Sequence, residues 1–215
     1  MQANRYMRTV ALFVPLALGS APGFAQNAGE FLVRGGVGYV SPNDKSGDLS
    51  GVPGGKVDVM SATNAALTVT YLLTDRVGVE LVGALPFKHD IKGAGTLAGA
   101  GKLASTRQLP PTVLLQYYFN PQGGVRPYLG AGLNYTTFFN EKTTGAIAGN
   151  SIDLTDSWGL AAEAGADIDL GGNWFANLAV WYMNIDTKAT IGGGVGTVKV
   201  AINPWVGFAG VGYRF

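Results

Sequence analysis

The chain has one histidine, His89, set between Lys88 and Asp90, and no cysteine. An imidazole beside a carboxylate could act as a general base for a hydroxyl nucleophile, or as one ligand of a metal ion. Neither arrangement is completed by the residues around it. No serine near His89 is marked as a nucleophile, no second histidine exists for a metal pair, and thiolate ligands are absent from the composition. His89 is expected to be a polar residue at a boundary, at the height of a lipid headgroup; no enzyme activity, metal or cofactor is expected. The glycine runs Gly93-Ala94-Gly95 and Gly192-Gly193-Gly194 lack the strand-to-helix context of a phosphate loop and are expected to be flexible connections. What remains are scattered charges: Arg34, Glu80, Arg126, Glu163, Asp167 and Arg214. What these can do depends on the elements that hold them.

The N-terminus is read as a targeting segment. Arg5 and Arg8 precede an apolar stretch at 9–18, and Gly23-Phe24-Ala25 forms a small-x-small cleavage site, so residues 1–25 are expected to be a cleaved signal peptide. The apolar stretch is too short for a transmembrane helix, which needs ~20 residues. Without Arg5 and Arg8 the rest of the chain is close to neutral, which gives no reason to expect nucleic-acid binding. Charged residues make up 13% of the sequence, low enough for a chain with an apolar outer face.

Alternation of period two picks out eight segments bounded by turn residues, at 30–40, 63–73, 76–89, 107–119, 125–140, 152–170, 173–187 and 197–215. Each has at least the ~9–11 residues that a tilted strand needs to cross hydrocarbon. The connections alternate. Thr74-Asp75, 120–124 and Gly171-Gly172 are tight, whereas 41–62, 90–106, 141–151 and 188–196 are longer and Gly-rich. That alternation predicts an all-β fold for 26–215: an eight-stranded antiparallel transmembrane β-barrel with short periplasmic turns and long extracellular loops in the bacterial outer membrane. The last strand ends on Gly212-Tyr213-Arg214-Phe215. It must close the barrel, because an unpaired edge cannot sit in lipid. Its aromatic end at Phe215 is the expected handle for the barrel-assembly machinery.

An ordered set of segments then carries a family resemblance. It comprises Thr70-Tyr71-Leu72-Leu73-Thr74-Asp75, Gly78-Val79-Glu80-Leu81, Pro86-Phe87-Lys88-His89, Leu109-Pro110-Pro111-Thr112 and Gln116-Tyr117-Tyr118-Phe119. It continues with the run from Arg126-Pro127-Tyr128 to Phe138-Phe139, with Asp156-Ser157-Trp158-Gly159, and with Trp181-Tyr182-Met183-Asn184-Ile185-Asp186-Thr187. These segments resemble the OmpW family of small outer-membrane proteins, which includes alkane-uptake facilitators. The resemblance implies a barrel with an unusually apolar lumen that helps small hydrophobic molecules cross the outer membrane.

Parity assigns the faces. In the sixth segment the even positions are apolar while the odd ones include Glu163, Asp167 and Asp169, and a charge facing mid-membrane lipid costs up to ~2–4 kcal/mol. The odd set therefore faces inward. The same argument turns Arg34, Glu80, Arg126 and Arg214 inward near the periplasmic ends of their strands, where an ion-pair network is expected to plug the lumen. In the third segment it sends Leu85 and Phe87 outward. Above the charges, Val82, Leu114, Trp181, Met183, Val206 and Phe208 are expected to face a hydrophobic lumen that resists water and ions by dewetting. The expected route for a small hydrophobic solute runs from the loops into this lumen and sideways into the membrane near Leu85-Pro86-Phe87, where proline interrupts the hydrogen-bond ladder. Two other readings stay open: a small ion-conducting pore, and a surface receptor or structural protein whose loops act alone.

Overall fold

The computed structural model describes residues 26–215; the signal peptide expected at 1–25 lies outside the described residues. In chain order the strands are β1 (Phe31–Ser41), β2 (Lys45–Ser46), β3 (Gly55–Val59), β4 (Ala62–Leu72), β5 (Val77–Ala84), β6 (Phe87–Gly95), β7 (Lys102–Leu109), β8 (Thr112–Tyr118), β9 (Val125–Thr143), β10 (Ile152–Leu154), β11 (Ser157–Gly171), β12 (Trp174–Met183), β13 (Asp186–Ile191), β14 (Gly196–Ala201) and β15 (Trp205–Arg214).

Eight of these close a ring. Each of β11, β12, β15, β1, β4, β5, β8 and β9 is hydrogen-bonded to the next, and β9 returns to β11. All the pairings are antiparallel, and β1 meets β15 from Leu32↔Arg214 to Ser41↔Trp205. Closure removes every edge, which is what a sheet in hydrocarbon requires. The outer face carries exposed Val37, Leu67, Leu81, Leu115, Leu129, Leu133, Leu160 and Leu178. Aromatic pairs rim it at both ends: Phe31–Tyr71, Tyr117–Phe119 and Trp174–Tyr213 at the short-turn end, Tyr135–Trp158 and Tyr182–Trp205 at the other. The tightest short turn uses Gly171 and Gly172 at φ +96° and +60°, values that a side chain would strain.

The long loops have their own sheet structure. β6, β7 and β3 extend the wall upward from the top of β9, while β10, β13, β14 and β2 form a separate four-stranded sheet. Five of the expected strands are thereby divided or cut short. The third breaks into β5 and β6 at Leu85-Pro86, the fourth into β7 and β8 at Pro110-Pro111, the sixth at Thr155-Asp156, the seventh after Met183, and the eighth before Trp205. Proline lacks the amide that a ladder needs, and three of the breaks coincide with Pro86, Pro110-Pro111 and Pro204.

The break at Pro86 also shifts the phase of the alternation. Leu85 is exposed, yet Phe87, His89 and Ile91 are all buried. Phe87 therefore points inward instead of joining the outer girdle, and His89 is an interior residue instead of one at a headgroup boundary.

Candidate functional site: the lumen and the cavity above it

From the periplasmic end upward, the interior has three layers. The lowest is ionic. Arg34, fully buried, donates from Nε and Nη2 to the two carboxylate oxygens of Asp167, at 3.0 and 2.8 Å. Its Nη1 donates to Thr70 Oγ1 at 2.8 Å and lies 3.3 Å from Glu80 Oε1, and Nη2 also reaches the Tyr118 hydroxyl at 2.8 Å. The guanidinium sits 5.5 Å from the ring centroids of both Tyr128 and Phe175. Gln116 extends the network: it accepts from Tyr118 and Thr70 and donates to Glu163 Oε2 at 2.8 Å. Asn177 donates to Asp167 and to the Tyr128 hydroxyl. Arg126 pairs with Asp169 at 3.6 Å, and Arg214 approaches Glu30 at 3.9 Å.

Burying a guanidinium costs several kcal/mol unless partners replace its water, and here Asp167, Glu80, Thr68, Thr70 and Tyr118 supply that replacement. The layer is tight enough to constrain its glycines. A Cβ at Gly165 would meet the Tyr128 hydroxyl at 2.5 Å, and one at Gly212 would run into the Phe175 ring. Below it the N-terminal segment crosses the barrel mouth, with the Gln26 amide bonded to Pro121 O and the Gly29 amide to Leu72 O.

The middle layer is mainly apolar, its polar members Thr112, Asn134 and Thr136 being buried and bonded to one another. Val82, Leu114, Trp181, Met183, Val206 and Phe208 are all buried in one hydrophobic cluster, with the rings of Trp181 and Phe208 at 5.8 Å. These six belong to the packed interior and do not line the apolar cavity above them.

That cavity is the top layer. It lies between the two sheets of the extracellular extension, with about 600 Å³ of space between the lining atoms, counted to its open mouth. Its walls come from β3, β6, β7 and the top of β9 on one side and from β10, β13 and β14 on the other. They include Val57, Ile91, Phe138, Leu154, Ile191 and Val200, and among the described residues no Asp, Glu, Lys or Arg lines it. Half of the lining residues fall in the Gly-rich stretches expected as loops. The signal that marks a strand among them is the alternation in Lys56-Val57-Asp58-Val59.

The wall between the layers has one weak stretch. The β5–β8 ladder ends at Val82↔Thr112, and pairing between the two hairpin arms resumes only at Phe87↔Gln108. Residues 83–86 and 109–111 lie between. On the lipid side of the same stretch, Gly35, Ala65, Leu67, Gly83 and Leu85 outline a shallow groove.

A closed eight-stranded barrel with an apolar belt, two aromatic girdles and a filled lumen defines the class: this is an outer-membrane β-barrel. The chain belongs to the OmpW family, whose model matches residues 27–215. It is 46% identical to Outer membrane protein W of Vibrio cholerae over 211 residues, covering 95% of this chain and 97% of that one. It is 43% identical to Outer membrane protein W of Escherichia coli, covering 96% and 98%. Among solved structures it superposes on outer membrane protein OprG of Pseudomonas aeruginosa with a TM-score of 0.83 at 46% identity, covering 89% of this chain and 98% of that one. The protein is thus a non-enzymatic barrel of the Gram-negative outer membrane.

Proposed function

We propose that this barrel passes small hydrophobic molecules from the cell exterior into the outer membrane. The observation that carries the reading is the charge-free apolar cavity stacked on an apolar layer, which itself rests on a filled ionic floor. A solute that enters from outside gains about 0.8 kcal/mol for each CH₂ it buries. The Arg34–Asp167 layer denies it a straight path to the periplasm. The interrupted ladder at 83–86, backed by small residues on both faces, offers the sideways exit. The same floor and apolar layer oppose the ion-pore reading, since a constriction of this kind dewets. The partners of this route are the apolar solute and the surrounding lipid, and assembly into the membrane is proposed to begin at the strand ending in Phe215.

The test compares uptake of a small alkane by proteoliposomes carrying wild type or Trp181→Asp, with single-channel conductance recorded on the same preparations. Uptake should fall several-fold in the variant, and conductance should stay low in both. Clear conductance with no alkane uptake by the wild type would make the protein a pore and the apolar layer mere packing.

A further inference from the structure

The outer face of the extracellular wall carries a recess of a different character. It is lined by Lys88 of β6, by Ser105, Thr106 and Arg107 of β7, and by Asn140 and Lys142 of β9. The three cations are exposed. Strand register brings them together. Lys88 stands directly opposite Arg107, and Ser105 directly opposite Lys142. Between Ser105↔Lys142 and Arg107↔Phe139 the strand β9 has one residue more than β7. Asn140 takes up this bulge at φ +54°, and bulges of this kind re-aim the side chains beside them.

Like charges directly opposite on one face of a sheet destabilise it, and nothing in the protein offsets these. Among the described residues, none of Lys88, Arg107 and Lys142 forms an ion pair. Asp90, the next residue outward on that face of β6, is engaged by Lys102 at 2.8 Å, and no carboxylate lines the recess. A second recess on the cap, lined by Lys45, Lys188 and Lys199, does hold a carboxylate of its own, Asp186. The recess at Arg107 therefore lacks an anion, and its height indicates which one. Lys88 is three residues beyond the lipid-exposed Leu85, about 10 Å along the chain. Phe139, opposite Arg107, is four residues beyond Tyr135 of the outer aromatic girdle, about 13 Å along a strand and less along the membrane normal once the strand tilts. Long basic side chains at this level reach down to the headgroups.

We propose that this recess binds a phosphate group on a lipid headgroup of the outer leaflet. The fork of Arg107 matches two phosphate oxygens, and the ammonium groups of Lys88 and Lys142 flank them as point charges. A lipid held there lies against the strands that carry Pro86 and Pro110-Pro111.

The experiment counts lipid A bound to the whole protein by native mass spectrometry, after release from phosphatidylcholine nanodiscs that contain either bis-phosphorylated or dephosphorylated lipid A. Wild type should retain the phosphorylated form in several-fold preference. In the triple variant Lys88→Gln, Arg107→Gln, Lys142→Gln that preference should fall about tenfold, and in each single variant about 2- to 5-fold. The charge-matched triple Lys45→Gln, Lys188→Gln, Lys199→Gln should change it by less than about twofold. Equal losses in the two triples would reduce the effect to net-charge attraction and overturn the site. Equal retention of dephosphorylated lipid A by the wild type would show that phosphate is not read, with the same consequence. Displacement of lipid A by millimolar inorganic phosphate would assign the recess to a soluble phosphate and overturn the lipid.

Discussion

Arg34 and His89 show how burial sets the role of a polar side chain. Arg34 is held by Asp167, Glu80, Thr70, Tyr118 and two aromatic faces. Replacing it with leucine strands the Asp167 carboxylate and should cost about 3–5 kcal/mol. The double replacement Arg34→Leu with Asp167→Leu should recover part of that loss; urea-unfolding midpoints in lipid vesicles would measure both. His89 has the opposite problem, too few partners. Burial pushes its imidazole below the ordinary value, and the Met60 carbonyl and the Asp90 carboxylate only partly oppose this. As pH falls through about 6.5, an unfolded chain would take up a proton that the folded one refuses. His89 therefore subtracts stability progressively until the lowered folded value is reached. Its NMR titration midpoint should lie below that of a free histidine, and a midpoint at or above that value would show the ring to be wet.

At the scale of elements, the prolines divide each long hairpin into a membrane part and an extracellular part. β5 and β8 stop pairing at Val82↔Thr112 because Pro86, Pro110 and Pro111 cannot extend the ladder. The groove outside this break has room at Gly83, where an added Cβ would meet only Leu67 O, at 4.0 Å. Gly83→Leu should therefore fill the groove on the lipid side without disturbing the fold. It should slow delivery of an alkane to the membrane several-fold while leaving its binding in the cavity unchanged. Equal loss of binding and delivery would place the exit elsewhere. The residue faces within the barrel were legible by parity because a pleat alternates without exception while its ladder continues. Parity failed for Phe87 and His89 because Pro86 lets the chain re-enter the sheet in the other phase.

For the molecule as a whole, the closed ring and the extracellular sheets differ in what protects them. Ladders of six to twelve pairs close the ring, and lipid covers its outer face, whereas β10 has three pairs with β13 and β2 only two with β14. Short ladders in contact with water open locally at low cost. Hydrogen exchange in bilayers should show β2, β3 and β10 exchanging orders of magnitude faster than β11 and β15. Uniform protection from the cap to the periplasmic girdle would contradict a cap that breathes over a rigid barrel, and with it the simplest way for a solute to reach the cavity.

Sequence by itself determined the closed antiparallel barrel, its order and its two faces, because a two-residue alternation is local and the solvent on each side of a membrane strand is known in advance. It also turned Arg34, Glu80, Arg126, Glu163, Asp167 and Arg214 inward, since lipid excludes charge. Only the tertiary structure decided who pairs with whom inside, and that Thr70, Gln116, Asn177 and Phe175 complete the floor. Those contacts join strands far apart in the chain. Only the tertiary structure revealed that the loops fold into two facing sheets and that the cavity lies between them, above Val82, Leu114, Trp181, Met183, Val206 and Phe208. A cavity is what two surfaces fail to fill, and no single strand encodes it.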